Sequence, residues 1–421
     1  MIRHLLRLIW NQRRQNGWLW AELLLVSVFL WFLVDYLYVM GRTYTTPLGF
    51  DIEHTYQIGF GDLSDSNPDF LSKEERAPGD TDGALLLDLL ERIRAYPGVE
   101  EVCYSDAGIP YTQGTRFINF QVDSLERNCR WMKVSPDYFT VFRVRDREGR
   151  TEPLVEALRK PQGAVFSEGF GQDDPDFNLS LGQEIVRMFV NDHFKLNGIC
   201  QPVRRSEYER AEPVAFLPIT ASTVADGYYD GEMNSLEVCF RVRPEVDDTG
   251  FAARFRKDMA KQARIGNIYM LDVTPMSDLR TQYIRSTGVE NEVKTRVAVA
   301  CFLLVNIFLG IIGTFWFRTE YRKGEMGLRM ALGSTRRQLN SIMMGEGILL
   351  LILAFVPSLV ISFNIATMDL VDSYLLPFTW LRFAICEGIT FTLIVCMIIC
   401  GVWYPARTTA RLEPAEALHY E

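Results

Sequence analysis

The chain contains no Gly-Lys dipeptide and hence no G-x-x-x-x-G-K-[S/T] loop. It therefore cannot cradle and hydrolyse a nucleoside triphosphate by the P-loop route. Its four histidines, His4, His54, His193 and His419, share no ligand spacing, and neither H-E-x-x-H nor G-x-S-x-G occurs. No metal site, no catalytic residue and no cofactor of its own are expected. Cys103, Cys129, Cys200 and Cys239 lie in a polar middle region without C-x-x-C spacing. They fit either one or two disulfides, with three connectivities for two bridges, or four small buried thiols. Cys301, Cys386, Cys396 and Cys400 fall in apolar runs and read as inert.

Long apolar runs are confined to four places. The mean hydropathy of +0.01 averages these against a polar half. The net charge of −9 is an average too, because the short segments beside the spans are basic and the middle region is acidic. That sign argues against nucleic acid as a partner, since phosphate binding requires clustered Lys and Arg.

Residues 1–17 carry Arg3, Arg7, Arg13 and Arg14 among Ile2, Leu5, Leu6, Leu8, Ile9 and Trp10, the pattern of a basic amphipathic helix lying on a membrane surface. Residues 18–40 form a first span, long enough for a hydrocarbon core of ~30 Å. Its length and the lack of a small-residue cleavage site near Gly41 mark an uncleaved anchor. Glu22 and Asp35 fall near its ends, where charge is tolerable; Asp35 could face a helix interface, but an interfacial position is the expectation. Residues 293–317 read as a second span, continuous with a helical stalk from Met276 and carrying Asn306 as a polar group able to bond a partner helix. The third span is 341–363, with Pro357 as a kink, and the fourth 381–404. The acidic loop 364–380 between them lacks Lys and Arg, as an external loop does.

Residues 41–292 alternate strands and helices. Strand 56–60, helix 82–96 and strand 99–104 make one β-α-β unit; strand 235–242, helix 250–265 and strand 268–273 make a second. Two such units imply a split ferredoxin-like subdomain. Between them, at about 108–230, lies a β-rich insertion with strands at 116–122, 130–134, 164–167, 184–190 and 194–199. The fold class is thus a four-span α-helical bundle plus a large extracytoplasmic α+β domain.

Residues 318–340 join the second and third spans and carry six Lys or Arg against Glu320 and Glu325. A short basic loop stays on the cytoplasmic side, which would place both termini there. Arg322, Arg329 and Arg336 recur every seven residues on one helix face. Glu325 stands four before Arg329, the favourable order for an ion pair. Gly333 is placed to end this short helix, and Thr335 with Gln338 to cap the next. The charges alone would be satisfied by a loop that merely orients the protein.

The residues go further. Glu325-Met326-Gly327-Leu328-Arg329-Met330-Ala331-Leu332-Gly333-Ser334-Thr335-Arg336-Arg337-Gln338 resembles the E-I-G-L-x-x-A-L-G-A-x-x-x-Q segment of MacB/FtsX-type ABC transporter permeases, with Met326 for Ile and Ser334 for Ala. Residues 405–421 are similar to the family's terminal P-A-R-x-A-A-R-L-D-P-x-E-A-L-R-Y-E, matching at Pro405, Ala406, Arg407, Ala410, Arg411, Pro414, Glu416, Ala417 and Leu418. Ser135-Pro136-Asp137-Tyr138-Phe139 looks like a recurring segment of the family's outer domain. Leu179-Ser180-Leu181-Gly182-Gln183 superficially resembles the L-S-G-G-Q signature of ATP-binding cassettes, but it lacks the third-position glycine and reads as a turn.

The resemblance implies a half-transporter that moves its periplasmic domain by mechanotransmission, in the inner membrane. It implies coupling residues Glu320, Gly324, Glu325, Gly327, Leu328, Arg329, Ala331, Leu332, Gly333, Ser334 and Arg336, docked on a separate ABC ATP-binding subunit that holds the ATP and Mg. Further implied partners are membrane lipid, a second permease chain in a homodimer or heterodimer, and a periplasmic adaptor or cell-wall enzyme. Export or extraction of a substrate, regulation of cell-wall hydrolases and lipoprotein release all fit the family. A membrane receptor would need a cytoplasmic output, and the chain offers only the loop or the tail for one.

Overall fold

Four helices are long and apolar enough to cross a bilayer, with spans at Asn16–Thr45, Val289–Thr314, Ser341–Thr367 and Trp380–Gly401. The computed structural model describes residues 13–409 apart from 73–74, 78, 113, 173, 229–235, 322–323, 325–327, 329–332 and 369. The chain forms two compact units, residues 1–45 with 291–421, and residues 46–290.

The first unit holds α1 (Arg13–Thr45), α7 (Val289–Tyr321), α8 (Arg336–Thr367) and α9 (Trp380–Thr409). Residues 1–12, most of the expected surface helix, lie outside the described residues. Leu23, Leu30 and Trp31 of α1 pack with Leu350, Leu351 and Ala354 of α8 and with Cys386, Ile394 and Ile398 of α9. Helix α7 buries Ile311 in this core and leaves Phe302, Val305 and Leu309 exposed. Asn306 donates to the Phe302 carbonyl of its own helix at 2.8 Å, so within this chain it does not reach a neighbouring helix. A short polar side chain four residues from a carbonyl finds that partner first.

The second unit is organised on one eleven-stranded sheet, ordered β10-β11-β1-β9-β2-β4-β3-β6-β7-β5-β8. Strands β1 (Thr55–Asp62), β2 (Val99–Asp106), β9 (Glu237–Val242) and β11 (Ile268–Pro275), with helices α2 (Asp82–Arg94) and α5 (Phe251–Met259), give the ferredoxin-like order. Thr81 caps α2, its side chain accepting from the Ala84 amide at 3.0 Å. The apolar face of α2 at Leu85, Leu86, Leu89, Leu90 and Ile93 covers Ile58, Val238 and Phe240 of the sheet.

The insertion closes on itself. Strands β3 (Arg116–Val122), β4 (Leu125–Val134), β5 (Gly163–Ser167), β6 (Glu184–Arg187), β7 (Asp192–Cys200) and β8 (Val214–Pro218) lie side by side in the order β4-β3-β6-β7-β5-β8, and β4 also pairs β8 in parallel. The ring is a six-stranded barrel. Strict alternation sorts its side chains: Cys129 of β4, Ala164 and Phe166 of β5, and Ala215 and Leu217 of β8 fill the interior. Met132 and Val134 of β4, Val165 of β5 and Phe216 of β8 face outward, against Tyr138 and Phe139 of α3 (Tyr138–Val141) and Leu154 of α4 (Glu152–Arg159).

Three expectations need correction. The helix expected to reach Ile265 ends at Met259, because Arg264–Ile265 pairs with β11 as the short strand β10. The strand expected to reach Val190 ends at Arg187, where Phe189 and Asn191 adopt left-handed φ of 67° and 56° in a turn. The stalk is not one continuous helix: α6 (Met276–Thr287) ends at Gly288, whose φ of 69° terminates a helix, before α7 begins. All eight cysteines are free thiols. Cys103 and Cys239 stand opposite each other on β2 and β9, whereas Cys129 is inside the barrel and Cys200 outside it.

Candidate functional site

The predicted coupling segment follows α7 and runs into α8. Glu320 lies in the last turn of α7, Gly324 and Leu328 are helical, and Leu328 is 55% exposed. Gly333 takes φ +95°, a backbone that a side chain resists, and nothing crowds the position where a Cβ would stand. Ser334 is half-buried in the turn, and Arg336 is the first residue of α8. A full capping box starts α8: the Thr335 hydroxyl accepts from the Gln338 amide at 3.3 Å, and Gln338 Oε1 accepts from the Thr335 amide at 2.9 Å. Glu325, Gly327, Arg329, Ala331 and Leu332 lie outside the described residues. Of the tail motif, Pro405, Ala406 and Arg407 belong to the last turns of α9; Ala410, Arg411, Pro414, Glu416, Ala417 and Leu418 lie outside.

Within the bundle the structure joins residues that sequence reading left apart. Asp35 was expected at the interface with water, yet it is 2% exposed. Its two oxygens take Nε and a terminal nitrogen of Arg382 at 2.8 and 2.5 Å, a bidentate pair tying α1 to α9. The other Arg382 terminal nitrogen donates to the carbonyls of Asp372 and Leu376 at 2.9 and 2.5 Å. Arg382 was not singled out from the sequence. The available signal was one acid and one base, each set towards one end of an apolar run. Towards the other end of the span, Glu22 of α1 accepts from the Thr314 hydroxyl of α7 at 3.1 Å.

In the second unit, residues 204–209 form a junction that also escaped notice. The Arg204 guanidinium donates to three carbonyls, those of Thr46, Glu207 and Glu209, at 2.6, 2.8 and 2.7 Å, and its amide donates to Leu48 O. Glu207 accepts from Arg280 Nε at 2.6 Å and from the Tyr111 hydroxyl at 3.0 Å, and Glu209 from the Tyr283 hydroxyl at 3.0 Å. The chain just after α1 and the helix just before α7 are therefore held by one loop. Burial first, and then the adjacent Glu207 charge, push the Tyr111 hydroxyl well above its ordinary range, so it stays a donor. Among the described residues no group of three or more His, Cys, Asp or Glu is arranged to hold a metal ion.

Residues 297–414, from the second span through the loop and both later spans, match the family model described as FtsX-like permease C-terminal. This C-terminal part of the chain is therefore similar to FtsX-like permeases. Such permeases are the membrane components of ABC transporters and are not themselves ATPases. No curated protein matches the chain. Among solved structures it is similar to a permease-protein domain from Porphyromonas gingivalis, at 15% identity over 54% of this chain and 92% of that one, with a TM-score of 0.35. It is similar to the periplasmic region of MacB from Actinobacillus actinomycetemcomitans, at 11% identity over 58% and 98%, TM-score 0.33. A third is the extracellular domain of the noncanonic ABC-type transporter YknZ from Gram-positive bacteria, at 11% identity over 52% and 100%, TM-score 0.29. These overlaps are loose, and the likeness to this family rests on the match over residues 297–414. With four helices long and apolar enough to cross a bilayer, the chain reads as a multi-pass membrane protein that also carries a separate β-rich unit.

Proposed function

We propose that the chain is the permease subunit of a MacB/FtsX-type ABC transporter, driven by a separate ATP-binding subunit that docks on residues 320–336. ATP and Mg sit on that subunit. Its closure pushes the loop, and the second span conveys the push to the extracytoplasmic domain, which acts on a substrate there. Two permease chains, identical or paralogous, pair in the inner membrane with both termini cytoplasmic, and a periplasmic adaptor or cell-wall enzyme receives the movement.

The observation that carries this reading is the family match, which runs unbroken from the second span across the loop to the tail. The loop's local build supports it. The turn at Gly333 and the capping box at Thr335 set the start of α8, and Leu328 is exposed. The 204–209 junction supports the mechanical part, because movement delivered through α6 reaches the loop that also grips the exit of the first span. Coupling of this sort requires an element that both ends can bias.

The test is a detergent pull-down of tagged chain with mass spectrometry. A stoichiometric ATP-binding subunit, lost with Arg329→Glu while membrane insertion is retained, is the expected result. Absence of any ATP-binding subunit from the wild-type sample, or unchanged ATPase stimulation by Arg329→Glu after reconstitution, refutes the reading.

A further inference from the structure

Arg130 lies on β4, opposite Val214 of β8, on the barrel's outer face, and is 7% exposed. A guanidinium taken out of water needs a counter-charge and hydrogen-bond acceptors to offset its lost hydration. Among the described residues no carboxylate comes within ion-pair distance of Arg130, and its Nε has no hydrogen-bond partner. Burial lowers its proton affinity, Arg205 opposes its charge, and Glu212 acts on it only through space.

Arg130 lines a small cavity with Arg205, Tyr111, Thr112 and Thr115. Arg204 lines it as well, but its guanidinium is occupied by three carbonyls. Arg205 has a buried Nε without a partner and a single long ion pair, at 3.6 Å to Glu209. The wall therefore carries two guanidinium groups, each with a buried Nε that has no partner. The cavity holds about 30 Å³, room for two water-sized bodies at roughly 10–15 Å³ each. That is too little for an organic acid, a sulfate or a phosphate.

We propose that this cavity is an anion site of the extracytoplasmic domain, taking one chloride-sized inorganic ion between Arg130 and Arg205. The ion supplies the negative charge that the buried guanidinium lacks. Its seat adjoins residues 107–112 and the 204–209 junction, so occupancy stiffens the loop that grips the exit of the first span and the helix before the second.

The test is thermal unfolding of the full chain in detergent, in sodium chloride against sodium gluconate at matched ionic strength. Chloride at about tenfold its dissociation constant is expected to raise the melting temperature by roughly 3–6 °C, saturably. Arg130→Met is expected to remove that increment while keeping a cooperative transition. Equal wild-type melting in the two salts overturns the proposal, as does an undiminished chloride increment in Arg130→Met. Should Arg130→Met fail to fold, wild-type crystals soaked in bromide decide: an anomalous peak beside Arg130 supports the site, and a peak-free cavity overturns it.

Discussion

Replacing Asp35 by Ala strands the Arg382 guanidinium in the packed bundle. The pair's side chains are 2% and 3% exposed, so water cannot substitute for the lost carboxylate. Arg382 keeps two carbonyl acceptors, at Asp372 and Leu376, which satisfy donors but supply no full negative charge. Breaking a buried ion pair by removing one partner typically costs about 3–5 kcal/mol. The expected loss for Asp35→Ala lies in that range, towards its lower end because of the retained carbonyls. Arg382→Ala strands Asp35 in turn, with a loss of the same order. The double variant leaves no isolated charge, so its loss falls well short of the sum. Reversible denaturation in mixed micelles, followed by tryptophan fluorescence, reads all three variants against wild type. Additivity of the two single losses to within about 0.5 kcal/mol would refute the reasoning, since independent sites add to that precision.

Glu237 gives a pH prediction. Burial raises its carboxyl above the usual carboxylate range, even though the amides of Gly108 and Ile109 and the Ser105 hydroxyl donate to it. A raised acid binds its proton more tightly when folded, so its contribution is fully present below the unfolded value and is lost as pH rises through the folded one. Glu237→Gln should therefore flatten the fall in melting temperature between mildly acidic and neutral pH; an unchanged slope in thermal scans at several pH values counts against this. Asp137 shifts the same way, burial again leading, and so remains in both slopes. Gly83→Ala should destabilise the ferredoxin-like unit by about 1–3 kcal/mol despite its better helix propensity. A Cβ there would stand 1.8 Å from the Val224 carbonyl oxygen, and chemical denaturation showing a gain instead would contradict the close approach.

Patterns that act over a few residues were readable from the sequence. The two β-α-β units followed from alternation and from the apolar face of α2, and the caps around Gly333 and Thr335 from turn chemistry alone. Features that depend on distant partners were not. Barrel closure needs β4 to find β8 across some eighty intervening residues, and no local period records that pairing. Asp35 and Arg382 are 347 positions apart, so Asp35 alone looked like a charge tolerated near a span's end and Arg382 drew no notice. Gly288 was visible, but the helical pattern on both sides concealed that it divides α6 from α7. The 204–209 junction escaped because its energy lies in backbone carbonyls, which sequence does not display.

The barrel enters the ferredoxin-like sheet after β2 and returns at β9, and these strands are already neighbours, with Ser105 facing Glu237. Glu237 also fastens the entry by accepting from Ser105, Gly108 and Ile109. Both ends of the insertion thus leave through one narrow doorway, and the sheet's register does not depend on what hangs beyond it. Such a doorway lets a lineage trade one barrel for another while the spans and the sheet stay as they are.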